Sequence, residues 1–196
     1  MKKILILGAA LLLAGCGGPK GTWVDAEREI IFSQGPVMRV LTIADINDSL
    51  VLRTPSRPLK PEDVTSEVYT TLAEKMLATV TSPEQDGVGI AAPQVGILRD
   101  VVAVKRYDKP GEPFEVYPNI RITGARGVAL PGPEGCLSVP NRRGEVLRFK
   151  DIDITYLSTK TLRDTTERIE GYTAVIFQHE CDHLDGTLYI DKLFAE

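Results

Sequence analysis

Tyr172-Thr173-Ala174-Val175-Ile176-Phe177-Gln178-His179-Glu180-Cys181-Asp182-His183-Leu184 is the stretch on which the fold turns. Tyr172, Val175, Ile176 and His179 recur at the spacing of one helical face, and Asp185-Gly186 supplies a stop. The pattern therefore predicts a helix over about 172–184. Residues four apart stack on one side of a helix, so His179 and His183 can hold one cation while Glu180 projects beside it. In that arrangement the glutamate handles the proton of a metal-activated water.

A catalytic metal needs a third protein ligand and an open position. His179 and His183 are the only histidines in the chain, which excludes a three-His site. The carboxylates downstream of His183, at Asp185, Asp191 and Glu196, follow too closely for a second helix to return one of them. A cysteine or an upstream carboxylate is left. Cys181 sits about 200 degrees around the helix from His179 and reads as a small core residue. Cys136 lies in Pro131-Gly132-Pro133-Glu134-Gly135-Cys136-Leu137-Ser138, a Gly/Pro-rich segment that can bring backbone close to a ligand. One thiolate with two imidazoles suits zinc or ferrous iron alike.

Outward from that helix, Val64, Val68, Leu72, Met76 and Val80 recur every four residues and predict a second helix over about 61–81, with Glu62 and Asp63 at its positive end. Between the helices, 89–92, 100–107, 114–123, 144–149 and 151–157 are short Val- and Ile-rich runs, read as mostly antiparallel strands. The fold class is α+β, with short antiparallel sheets packed around the C-terminal metal-binding helix. Gly87-Val88-Gly89-Ile90-Ala91-Ala92-Pro93-Gln94 is no dinucleotide fingerprint, because 81–86 is polar rather than a buried strand and no helix follows Pro93. It reads instead as the Gly-rich wall of a cleft with Gln94 offering an amide donor.

The amino terminus has a different character. Met1-Lys2-Lys3 precedes an apolar run from Ile4 to Leu13, too short to span a bilayer and the right length for a signal segment. Leu13-Ala14-Gly15-Cys16 resembles the lipobox of bacterial lipoproteins, in which the cysteine is acylated. The expected organisation is a signal peptide at 1–15, a tether or N-terminal extension at 16–40, irregular to about Gly35, and a catalytic domain at 41–196. The protein is then exported and anchored to a membrane by lipid on Cys16; an unused signal would leave it cytoplasmic.

The whole chain has 196 residues, 43% hydrophobic and 26% charged, with a formal charge of −4. These values fit a single globular core and exclude a largely disordered chain. Without clustered Lys and Arg, a nucleic-acid face is excluded too. Nothing in the sequence fixes an oligomeric state.

Three segments in order, Gly87–Gln94, Glu134–Ser138 and Gln178–His183, resemble the signature motifs of polypeptide deformylases, and 48–53 resembles an N-terminal stretch of that family. The resemblance covers about 41–193. It implies a hydrolase that removes formate from N-formyl-methionyl peptides, with Cys136, His179 and His183 binding one divalent metal ion, usually Fe2+ in that family, with Zn2+ as the other candidate. Glu180 would serve as general base and acid, and the Leu137 backbone N–H with the Gln94 amide would meet the oxyanion. Val88, Tyr172, Val175 and Ile176 would line the pocket for the methionine side chain, and the Gly89 backbone and Arg143 would hold the peptide. Two other classes use the same residues: a membrane-tethered zinc metalloprotease, which needs a third ligand other than Cys136, and a non-catalytic peptide-binding lipoprotein.

Overall fold

The computed structural model describes residues 22–33 and 35–194. Among these, five helices and eight strands follow in the order α1 (Asp25–Ser33), α2 (Ile46–Leu52), α3 (Pro61–Val64), α4 (Glu67–Val80), β1 (Gly89–Ala91), β2 (Val101–Lys105), β3 (Phe114–Pro118), β4 (Arg121–Ala125), β5 (Leu130–Cys136), β6 (Val139–Arg148), β7 (Asp151–Leu157), β8 (Asp164–Glu170) and α5 (Gly171–Leu184). Short 3-10 turns lie at Ala92–Val95 and Tyr189–Asp191. All pairings between these strands are antiparallel: sheets β1-β2-β3 and β4-β7-β8, and the two-stranded ribbon β5-β6.

The first sheet is buried on both faces, which explains the unbroken apolar run of β2. Ile90, Val101 and Ala103 face one core with α1 and α4, whereas Ala91, Val102 and Val104 face a second core with α5, β4, β7 and β8. Side chains alternate across a strand, so a strand between two helical layers needs an apolar residue at every position. The metal helix is one of those layers.

Several boundaries differ from the sequence reading, each for a local reason. The helix expected over 61–81 is two helices, because Ser66 is an N-cap: its hydroxyl accepts from the Tyr69 N–H at 3.3 Å and donates to the Asp63 carbonyl at 2.5 Å. The run expected over 114–123 divides at Asn119, whose φ of 53° carries the chain from the first sheet to the second. The Asn119 side-chain amide pairs with both backbone groups of Leu59 at 2.7 Å. Part of the stretch expected to be irregular up to about Gly35 is α1, which buries Ile31 against α4; Trp23 just before it is buried too. β5 is a strand despite Pro131 and Pro133. The two rings are two residues apart, so both missing N–H groups fall on the same outer edge of the ribbon. β8 is an edge strand that buries Ile169 alone.

Candidate active site and metal centre

Helix α5 starts at Gly171, whose φ of 68° turns the chain sharply out of β8. It carries His179 and His183 on one face, ring centroids 5.2 Å apart. The β5–β6 ribbon delivers Cys136 at its tight end, where Cys136 pairs with Val139. One ligand atom each from Cys136, His179 and His183 lie within 4.8 Å of one another, and the Cys136 Sγ–His183 Nε2 distance is 3.2 Å. Ligands at about 2.0–2.3 Å around one tetrahedral cation would stand at comparable separations. Among the described residues this is the sole three-group constellation of metal-binding type.

Glu180 lies beside this cluster, almost wholly buried, and its Oε2 has no hydrogen-bond partner. Burial pushes its carboxyl up to about 7, against the pull of His179. The space for it exists because residue 89 is glycine: a Cβ there would stand 2.5 Å from Glu180 Oε1 and 2.8 Å from an Ile176 methyl. An orphaned buried carboxylate oxygen next to a thiol and two imidazoles fits a divalent cation with its water.

A third layer fixes the histidine. His179 Nδ1 donates to Glu134 Oε2 at 2.7 Å, which leaves the other ring nitrogen for the metal. Arg148 grips Glu134 through Nε–Oε1 at 2.7 Å and Nη2–Oε2 at 3.1 Å, and reaches Asp182 Oδ2 at 2.7 Å. Burial works to raise the Glu134 pKa, but the hydrogen bonds and charges of His179 and Arg148 hold it down at about 2. His179 behaves in mirror image. Burial lowers its pKa, while Cys136 and Glu134 outweigh burial and raise it, and a cation on the free ring nitrogen would take the place of that proton. His183 is kept neutral by burial and by the neighbouring His179 charge.

The cluster floors a cleft of about 730 Å³. Of the residues named from sequence, Val88, Gly89, Gln94, Cys136, Leu137, Arg143, Tyr172, Val175, Ile176, His179 and Glu180 all stand on its wall. His183 lies behind it, 1% exposed. The Gln94 Oε1 accepts from the Ala91 N–H at 2.8 Å, so its Nε2 is turned toward Ser138 Oγ at 3.2 Å and Cys136 Sγ at 3.6 Å. Cys181 packs in the α5 core away from the cleft, as its position on the helix requires. Cys16 lies outside the described residues.

Sequence reasoning gave Glu134, Arg148 and Asp182 no role. One signal was present: in β6 Val146 is buried and Arg148, two residues on, falls on the same face, so an arginine occupies a core-facing position.

Comparison with known proteins agrees with this geometry. The family model described as polypeptide deformylase matches residues 40–196. A peptide deformylase of Leptospira biflexa is 39% identical over 152 residues, covering 73% of this chain and 82% of that protein. One from Halothermothrix orenii is 36% identical over 156 residues, 80% of this chain and 95% of that one. Among solved structures, a class I type b peptide deformylase from Acinetobacter baumannii with Met-Ala-Ser bound has a TM-score of 0.69 at 32% identity, covering 80% of this chain and 98% of its own.

Proposed function

The chain belongs to the polypeptide deformylase family, a hydrolase removing the formyl group from N-formyl-methionyl peptides, and we propose that it does so with Cys136, His179 and His183 as metal ligands and Glu180 as proton carrier. The observation that carries this reading is the unpartnered, buried Glu180 oxygen beside three converging ligand atoms at the floor of a peptide-sized cleft. A tethered protease would need a third ligand other than Cys136, and no other constellation of that type occurs among the described residues.

When bound, a divalent cation supplies Lewis acidity and a water whose pKa is lowered toward neutrality. Glu180 takes the proton of the attacking water and passes it to the methionine nitrogen as the C–N bond breaks, so the products are formate and a free amino terminus. The Leu137 backbone N–H and the Gln94 amide meet the charge that develops on the formyl oxygen. Gln94 is preset for this because its own carbonyl oxygen is held by Ala91. Val88, Val175, Ile176 and the Tyr172 ring supply apolar wall for the methionine side chain, with Gly89 and Arg143 along the peptide. Glu134 keeps His179 in one tautomer throughout.

The family resemblance supports Fe2+ as the metal, and the sulfur–nitrogen donor set accepts Zn2+ equally well. Metal analysis of anaerobically purified native protein decides between them. The lipobox at 13–16 supports an exported protein acylated on Cys16, acting on formyl-peptides that have been exported or released rather than on chains leaving the ribosome. Palmitate labelling lost in Cys16→Ser supports the anchor; unlabelled wild-type protein in the cytosol overturns it.

The activity test is formate release from formyl-Met-Ala-Ser by protein loaded with Fe2+ or Zn2+, beside Glu180→Gln. Loss of the proton carrier is expected to lower kcat by about 10²–10⁴-fold with metal content retained. Equal turnover by the two proteins would remove Glu180 from the mechanism.

A further inference from the structure

The ribbon that delivers Cys136 is irregular in one place, and the irregularity sits at the cleft mouth. Glu134 pairs with Gly144 and Cys136 with Val139, so between these pairs β5 advances two residues while β6 advances five. Residues 140–143, unpaired opposite Gly135 alone, bulge out of the ladder, with Asn141 at a left-handed φ of 60°. Bulges beside active sites re-aim side chains that a regular strand would send to opposite faces. Here the bulge brings both Arg142 and Arg143 onto the wall of one cleft. Arg143 leans inward: its Cγ lies 3.7 Å from where a Cβ on Gly135 would stand, next to the ligand Cys136. Arg142 precedes it on the same wall, and both residues are exposed at the cleft mouth.

Like Arg28 and Arg163, these two guanidinium groups have no carboxylate partner among the described residues, and of the four only they line the cleft. Arg39, Arg53, Arg99, Arg106, Arg126 and Arg148 each hold an aspartate or glutamate. No ion pair or hydrogen bond joins Arg142 or Arg143 to a carboxylate among the described residues. On the opposite lip the charged lining residue is Asp86, and Glu134 and Glu180 lie deeper. The rim on the β6 side is therefore a pair of open cationic forks in a mildly acidic chain.

We propose that Arg142 binds the C-terminal carboxylate of short formyl-peptides, so that this enzyme prefers released formyl-tripeptides to the formylated ends of long chains. The inference rests on the cleft being the formyl-peptide site. A tripeptide extends about 10 Å from its formyl group to its carboxylate, so both ends of one small substrate fall within the cleft and its rim. A guanidinium matches a carboxylate in a planar, two-hydrogen-bond fork. A long chain offers only an uncharged peptide carbonyl at that place. The preference selects small anionic products of proteolysis.

The test compares formyl-Met-Ala-Ser with its C-terminal amide, using full-length metal-loaded protein and formate release. Wild type is expected to favour the free acid about 10-fold in kcat/KM, with the difference in KM, and the ratio is expected to shrink in 0.5 M salt because a rim charge pair is screened. Arg142→Gln brings the ratio close to one, Arg142→Lys keeps part of it, and Arg142→Glu inverts it. A wild-type ratio near one, or a ratio that survives Arg142→Gln, overturns the proposal. Turnover of neither peptide would overturn the deformylase reading on which the proposal stands, a result distinct from equal turnover of both.

Discussion

Arg99 and Arg148 are both almost wholly buried, and each holds a glutamate in a two-bond fork, yet the two pairs serve different ends. Arg99 meets Glu27 through Nε–Oε1 at 2.7 Å and Nη2–Oε2 at 2.8 Å. Its remaining donors go to the Thr22 carbonyl at 2.6 Å and hydroxyl at 2.9 Å, and its guanidinium lies 5.0 Å from the centre of the Trp23 ring. Everything it touches there precedes residue 40, where the family match begins. Arg99 is thus the staple that fastens an added N-terminal helix to the catalytic fold. Arg148 makes the same fork with Glu134, but there the glutamate also accepts from His179. The difference lies in what the acid's remaining lone pairs touch. One fork stabilises the fold; the other orients a metal ligand.

The largest effect expected from breaking this comparison is on stability. Glu27→Gln strips Arg99 of its counter-charge in a buried setting, a change that costs about 3–5 kcal/mol. At about 2–4 °C per kcal/mol for a chain of this size, Tm should fall by roughly 10 °C. Formate release per folded molecule should be unchanged, because Glu27 is remote from the cleft. The loss should also fade in acid. Burial works to raise the Glu27 pKa, but the Arg99 hydrogen bonds, the Val24 N–H and the charges of Arg99 and Arg57 hold it below the ordinary carboxylate value. A depressed pKa gives stability that is present above the unfolded value near 4.5 and lost as pH falls through the folded one. Denaturant melts of wild type and Glu27→Gln should therefore differ fully at pH 7 and converge as pH falls through the depressed folded value. A gap that stays constant from pH 7 down into acid would show that shape, not charge, fastens the helix.

The matching change on the other fork is Glu134→Gln, with a smaller expected effect of a different kind. Removing the charge that orients His179 should weaken metal binding about 10–100-fold, read by chelator competition, while formate release partly recovers at high metal concentration. If Glu134→Gln lowered Tm and left metal affinity untouched, the two forks would be alike and Arg148 would be only another staple.

Legibility in the sequence divides along the same line. The metal helix could be read because its ligands are four residues apart and because the 3.6-residue period of Tyr172, Val175, Ile176 and His179 is intact. β2 was legible because a strand buried on both faces is apolar throughout. Helix α1 was not, since its buried face includes Glu27, and a charged residue in a core position breaks the pattern that marks a helix. Arg148 and Glu134 were hidden for a related reason. They are fourteen residues apart on neighbouring strands, and even the register sets Arg148 opposite Leu130 and Glu134 opposite Gly144, so only the long arginine side chain in the folded ribbon makes them meet. β5 was hidden by two prolines that the free edge of a two-stranded ribbon tolerates. Local periodicity is visible in a sequence; charge pairs that substitute for apolar contacts are visible only once the chain is folded.

Asp100 sharpens the comparison from beside one of the two arginines. It follows Arg99 directly, yet burial and the nearby charge of Asp185 push its carboxyl up to about 6, with Arg99 only partly offsetting them. Its sign is the reverse of Glu27's. For a carboxyl whose folded pKa is raised, stability is fully present below the unfolded value near 3.9 and is lost as pH rises through about 6. At pH 7 the ionised side chain is a liability, so Asp100→Asn, which keeps the shape and removes the charge, should stabilise by about 1 kcal/mol after allowance for its partial contact with solvent. At pH 3.5 the same variant should change little, because both states of the wild type are then mostly protonated. Melts at the two pH values check this directly. A destabilised Asp100→Asn at pH 7 would mean that Arg99 relies on Asp100 as well as on Glu27, and the staple would have two acids rather than one.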